Sequence, residues 1–134
     1  MQIFELNDEQ VEEIEERLSA YDSMRTGELR AGGIRLGIEK DGVLIAGLDA
    51  SLTAFHILYV STVFVDEAYR RQGYGRALML EMERRAKALG VDLIRLDTFD
   101  WQGKEFYLAL GYEIVGEYKN EKDGYAEFFF VKRI

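Results

Sequence analysis

The sequence contains no cysteine and no proline, and its 134 residues include one histidine and one tryptophan. Without cysteine there is no disulfide, thiolate zinc site, iron–sulfur cluster or cysteine nucleophile. A single histidine excludes any centre built on paired imidazoles, and no metal is expected. No apolar run approaches the ~18 residues of a membrane-spanning helix. The first residues, Met1 to Glu9, lack the basic stretch of a signal peptide. Basic charge is also short. Seventeen Lys and Arg face 25 Asp and Glu, for a net charge of −8. That argues against a nucleic-acid footprint. The expectation is a cytoplasmic chain that binds neither nucleic acid nor membrane.

Hydrophobic residues make up 48% of the chain and charged residues 31%, the balance of a globular protein. The length suits one domain spanning 1–134. The acidity is uneven: residues 1–20 hold seven acids against Arg17 alone, while the rest of the chain is nearly balanced. Such a segment is a solvated helix face or an acidic rim that attracts a cationic substrate.

Gln2–Leu6 alternates like a short strand. Asn7 and Gln10 have the spacing of a capping box, and Val11, Ile14 and Leu18 follow at helical intervals, predicting a helix over Asp8–Ala20. Asp22–Gly33 carries three glycines and no clear period, and reads as a loop. Ile34–Lys40 and Val43–Leu52 read as strands around Asp41-Gly42, a strong hairpin signal. Ile57–Val65 is a third strand. Leu78, Met82, Ala86 and Leu89 then mark one face of a helix over Tyr74–Leu89, closed by Gly90. A buried strand over Val91–Thr98, a short helix over Gly103–Leu110, and strands Tyr112–Lys119 and Tyr125–Lys132 complete the chain. The order β-α-β-β-β-α-β-α-β-β implies a mixed α/β fold: an antiparallel start, then βαβ units, with helices on both faces of the sheet. The apolar run Phe128–Val131 is either central in that sheet or part of a homodimer interface.

Between the third strand and its helix lies Val63-Phe64-Val65-Asp66-Glu67-Ala68-Tyr69-Arg70-Arg71-Gln72-Gly73-Tyr74-Gly75-Arg76. Unpaired N–H groups at a helix start carry the positive end of the helix dipole. Gly73 and Gly75 permit close backbone approach, and three arginines reverse the local charge. This pattern suits a phosphate group. A P-loop needs Gly-Lys-Ser/Thr, which is absent, and a dinucleotide fingerprint needs glycine where Leu78 stands.

The segment Arg70-Arg71-Gln72-Gly73-Tyr74-Gly75 resembles the pyrophosphate loop of the GNAT superfamily of acetyl-CoA-dependent N-acetyltransferases. Phe106-Tyr107-x-x-Leu-Gly-Tyr, about 30 residues on, resembles that superfamily's later helix-to-strand block. The resemblance is strong over 57–118. It implies a predominantly antiparallel sheet with splayed parallel central strands, and acetyl-CoA as co-substrate. It places Val63, Phe64 and Val65 beside the pantetheine arm, and Arg70, Arg71, Gln72, Gly73, Tyr74, Gly75 and Arg76 around the pyrophosphate. It implies Tyr107 as the general acid for the leaving thiolate; a phenol stays protonated at pH 7. Asp97, at the end of the buried strand, is the first choice of general base, directly or through water, and Glu67 is the next. His56 has the best intrinsic pKa for the role, although a lone histidine is more often a surface or packing residue, and many such enzymes use a water chain with no single base. The asparagine common in the family is replaced by Asp100, which cannot donate when ionised, with Gln102 as a substitute contact. Phe55, His56, Trp101 and the loop Asp22–Gly33 are candidates for acceptor binding. The implied reaction is acetyl transfer to a primary amine of a small molecule or peptide. The competing reading is a non-catalytic acyl-CoA-binding or regulatory module.

Overall fold

The computed structural model describes residues 1–27 and 31–134. Asn7 caps the first helix, α1 (Asp8–Thr26), and the capping box closes as the spacing predicts. The Gln10 N–H donates to the Asn7 side chain at 2.9 Å, and the Asn7 N–H donates to the Gln10 side chain at 3.1 Å. The helix runs beyond Ala20 to Thr26, because nothing in that stretch breaks it. Gly27, at φ 73°, ends it. The expected loop Asp22–Gly33 is therefore helical at its start, and its residues 28–30 lie outside the described residues. The strand expected over Gln2–Leu6 does not form; these residues are exposed and lie outside the sheet. No residue of α1 is buried. Val11, Ile14, Leu18 and Tyr21, spaced to share one helix face, are all exposed.

The remaining elements are β1 (Gly33–Lys40), β2 (Val43–Leu52), β3 (Ile57–Val65), a 3₁₀ turn (Glu67–Tyr69), α2 (Tyr74–Ala88), β4 (Leu93–Phe99), α3 (Lys104–Ala109), β5 (Glu113–Asn120) and β6 (Tyr125–Arg133). Asp41 and Gly42 both take positive φ, 52° and 78°, as a two-residue hairpin turn requires. The six strands form one sheet in the order β1-β2-β3-β4-β6-β5. Every neighbouring pair is antiparallel except β3 with β4. That parallel pair has only three rungs, Ile57↔Leu93, Leu58↔Ile94 and Tyr59↔Arg95. Past Tyr59, β3 stays paired with β2 as far as Val65, while β4 stays paired with β6 as far as Phe99. The sheet is thus split along its middle, the splay that the resemblance implies.

Alternation sorts the strands into two faces. Leu58 and Val60 of β3, Ile94, Leu96 and Thr98 of β4, and Ala126, Phe128 and Phe130 of β6 are buried. They meet Leu78, Met79, Met82 and Ala86 of α2 and Tyr107 of α3 in one core cluster. Helices α2 and α3 therefore lie on the same face. The physical reason is handedness. The connections β3–α2–β4 and β4–α3–β5 advance in the same direction across the sheet, and right-handed crossovers in one direction stay on one side. The other face carries Tyr59, Arg95, Asp97 and Phe129 and is half open. β6 is interior, between β4 and β5, so the run Phe128–Val131 follows the first of its two readings.

Candidate active site

The residues after the last parallel rung lead to the glycine-rich turn. Asp66 accepts from the Ala68 N–H at 3.0 Å and caps the 3₁₀ turn. Arg70 folds back, donating from Nε to the Val65 carbonyl at 3.0 Å, so its guanidinium braces the end of β3. The Gln72 side-chain amide donates to the Ala68 carbonyl at 3.3 Å. Arg71 sits at φ 62° and Gly73 at φ 89°. Gly73 is the N-cap of α2 and makes no side-chain cap hydrogen bond. Nothing lies within 4 Å of where its Cβ would be. The first-turn amides of Tyr74, Gly75 and Arg76 are therefore uncapped by any side chain at that position, at the positive end of the helix dipole. Arg71, Gln72 and Arg76 are exposed around this opening.

Gly75 has a different reason to be glycine. A Cβ there would lie 3.2 Å from the Phe106 ring and 3.4 Å from Val65. Its missing side chain lets α2, α3 and the end of β3 close on one another. One contributor escaped the sequence reading: Lys40, from the β1–β2 hairpin. It approaches Tyr74 Oη at 3.3 Å and lies 5.5 Å above the Tyr69 ring, adding a cation beside the turn. No local motif marks it, because the hairpin brings it across the fold.

Tyr107 is 9% exposed, packed against Phe106, Tyr112 and Phe130 with ring centroids 5.1, 6.0 and 5.8 Å away. Gly103 makes room for it; a Cβ there would meet the Tyr107 ring at 2.9 Å. Its hydroxyl has no hydrogen-bond partner among the described residues. Burial, and then the nearby charge of Asp97, push its pKa up to about 12. Burial likewise raises Tyr112, whose hydroxyl is 3.3 Å from Glu83. Both phenols are held neutral. A raised folded pKa contributes stability that is complete below the unfolded value of about 10 and is lost as pH rises through about 12. Chemical denaturation at pH 9 to 12 should therefore show stability falling across that window, with a shallower fall in Tyr107→Phe.

Asp97 projects from β4 on the half-open face, two residues beyond the last parallel rung. It accepts a hydrogen bond from Tyr59 Oη at 3.1 Å. The Arg95 guanidinium lies 4.4 Å from the Tyr59 ring centroid. Tyr59 and Arg95 are a second pair that the sequence reading missed. Their signal was alternation: both fall on the face opposite the buried set.

The remaining candidates are placed as follows. Glu67 is exposed in the 3₁₀ turn. Asp100 is engaged: its carboxylate accepts from the Ala126 N–H at 3.1 Å and ties the loop to β6. Gln102 Oε1 accepts from the Phe99 N–H at 2.9 Å and closes the end of β4. Trp101 is 67% exposed and stacks on Phe99 at 4.6 Å, so it is not a core residue. Phe55 and His56 need correction. They precede β3, and the His56 carbonyl accepts from Asp92 at 2.9 Å and Leu93 at 3.3 Å, at the paired end of the strands. The split begins past Tyr59, about 10 Å along β3 at ~3.3 Å per residue, and widens from there toward Val65, away from both residues. Strand direction carries both residues away from Tyr107.

A mixed sheet split between its parallel strands, with a glycine-rich turn opening a helix beside the split, is the frame that the resemblance implies. The acetyltransferase (GNAT) family pattern matches residues 1–112, and the chain belongs to that family. The crystal structure of an acetyltransferase from Bacillus cereus ATCC 14579 is 30% identical, with a TM-score of 0.91 over 100% of this chain and 98% of that one. L-ornithine N5-acetyltransferase NATA1 from Arabidopsis thaliana is 30% identical over 63 residues, which cover 46% of this chain and only 28% of that protein. A streptothricin acetyltransferase from Bacillus anthracis, crystallised with acetyl coenzyme A, shares the fold at 18% identity and a TM-score of 0.70. The match covers 78% of this chain and 64% of that one.

Proposed function

We propose that the protein moves an acetyl group from acetyl-CoA to a primary amine of a small molecule or peptide, by direct transfer with Tyr107 as general acid. The observation that carries this reading is Tyr107, on a helix beside the split sheet: its ring is buried in the core, while its hydroxyl, unpartnered among the described residues, is not sealed from solvent.

The chain's own groups divide the work. Val63, Phe64 and Val65 are paired with β2 along one edge, and on the edge that has lost β4 this stretch is the candidate partner for the amides of the pantetheine arm, although the Val65 carbonyl already accepts from Arg70. The uncapped amides of α2, with Arg71 and Arg76, suit a pyrophosphate by charge and by the free donors of a helix start. The acceptor's ammonium gives one proton to Asp97, which passes it to solvent. The freed lone pair attacks the thioester carbonyl carbon, and the adduct's oxyanion is held by a backbone N–H, for which Val65 is the candidate. The adduct collapses with breakage of the C–S bond, and Tyr107 protonates the departing sulfur. The second amine proton replaces the one Tyr107 gave. One amide, one free thiol and one released proton balance the step.

Neither Asp100 nor Gln102 is needed as a cofactor contact in this scheme, since both serve the loop. The acidic α1 favours a cationic acceptor. We further propose a homodimer, which would cover the apolar face of α1. Thiol release from acetyl-CoA, measured against a panel of primary amines with calorimetric acetyl-CoA binding, tests the reading. Binding without turnover for any amine would favour the non-catalytic module instead.

A further inference from the structure

We propose that Tyr59 is a positioning residue for acetyl transfer: its hydroxyl, reaching across the base of the split, holds the Asp97 carboxylate, while Arg95 holds the Tyr59 ring. The inference rests on Asp97 serving as the base in the reaction proposed above.

The geometry begins with the last rung. Tyr59 and Arg95 are direct partners across the parallel pair, and no further rung joins β3 to β4. Directly opposed residues share a face, so the Arg95 guanidinium comes to lie over the Tyr59 ring at 4.4 Å. That contact fixes the ring plane at the vertex of the split. From there the phenol reaches forward to Asp97 Oδ2 at 3.1 Å. Asp97 is two residues along β4, where that strand has left β3 and is held on its other side by the pair Asp97↔Phe129.

An exposed carboxylate on a diverging strand has several side-chain rotamers open to it. The hydrogen bond from a fixed phenol selects one of them. It occupies one oxygen, leaving Oδ1 without a partner among the described residues and free to receive an ammonium proton. The tyrosine is suited to the task because it remains a donor. Its pKa is raised, by burial first and then by the hydrogen bond and charge of Asp97. The charge of Asp97 also acts on Tyr107, so base and acid share one electrostatic site. The charged groups acting on Tyr59 are Asp97 and Arg95 on β4 and Glu127 on β6, and Asp97 acts in turn on Tyr107 of α3. Among the described residues, only Tyr59 is hydrogen-bonded to the Asp97 carboxylate.

The test has two arms. In the first, tyrosine ring carbons are followed by NMR from pH 8 to 12 in wild type and Asp97→Asn. Loss of the carboxylate should lower the ionisation pH of Tyr59; an unmoved titration would overturn the proposal without any acceptor amine being known. In the second, thiol release is measured with L-ornithine and 1,4-diaminobutane for wild type, Tyr59→Phe, Asp97→Asn and the double variant. Tyr59→Phe keeps the ring and its contact with Arg95. It should lower kcat about tenfold, the loss expected for one hydrogen bond acting in the transition state, with acetyl-CoA affinity unchanged. Added to Asp97→Asn, it should cost nothing more. Additive losses, or a full-rate Tyr59→Phe, would overturn the proposal. Failure of wild type to bind acetyl-CoA would instead remove the acetyltransferase reading, and the first arm would still report on the contact.

Discussion

Replacing Tyr107 by Phe should lower kcat by about 10²–10⁴-fold, the usual worth of a positioned general acid. The same change should leave acetyl-CoA affinity and melting temperature close to wild type. The ring contacts with Phe106, Tyr112 and Phe130 survive in the variant. The hydroxyl leaves no orphaned donor or acceptor behind, because it has no partner among the described residues. An interaction made only in the transition state lowers kcat and kcat/KM together. The raised pKa, about 12, keeps the proton on the oxygen across any workable assay pH. No fall in rate on the alkaline side from ionisation of Tyr107 should therefore appear below pH 10. Steady-state kinetics and calorimetry on both proteins decide the matter. A kcat within threefold of wild type would remove Tyr107 from the chemistry, and weaker cofactor binding with unchanged kcat would make it a ground-state contact.

Arg76→Glu should produce opposite signs in two measurements. Arg76 is exposed in the first turn of α2, where the N-cap makes no side-chain hydrogen bond. A carboxylate there meets the positive end of the helix dipole and should stabilise the helix by about 0.3–1 kcal/mol. Against a bound pyrophosphate, the same change reverses one charge by two units. At roughly 1 kcal/mol per unit in a partly solvated site, acetyl-CoA affinity should fall about 30-fold. Calorimetry and thermal unfolding read the two effects separately. The glycines are poorer probes of the same surface. Gly75→Asp would meet the Phe106 ring and Val65, and Gly73→Asp would place a side chain at φ 89°. Either could lose binding by losing the fold around the turn. Unchanged affinity in Arg76→Glu would detach the turn from the cofactor.

Local signals were read well. The capping box at Asn7 and Gln10, the Asp41-Gly42 turn, and strands β2 and β3 to the residue all depend on neighbours in sequence. The failures were of direction and partnership. Phe55 and His56 are near Tyr107 only if strand direction is ignored. Gly75 looked like a gap left for a ligand, and its nearest neighbour is the Phe106 ring, 31 residues on. Gln2–Leu6 has the alternation of a strand, but no strand of the sheet pairs with it. Asp97 was singled out from its place at the end of a strand. Tyr59 was not, because its meaning comes from a hydrogen bond across 38 positions.

The position of α1 bears on how the protein opens and closes in solution. A helix that buries no side chain shares little of the free energy that holds the core together. Most helical stability in proteins comes from packing an apolar face, a packing that this helix lacks. In dilute solution its amides should exchange with solvent deuterium far sooner than those of β3 and β4. A homodimer covering Val11, Ile14, Leu18 and Tyr21 would change that. Exchange from α1 would then slow as protein concentration rises, while β3 and β4 would keep one rate throughout. The first helix would act as a built-in gauge of assembly, read peptide by peptide in a mass spectrometer.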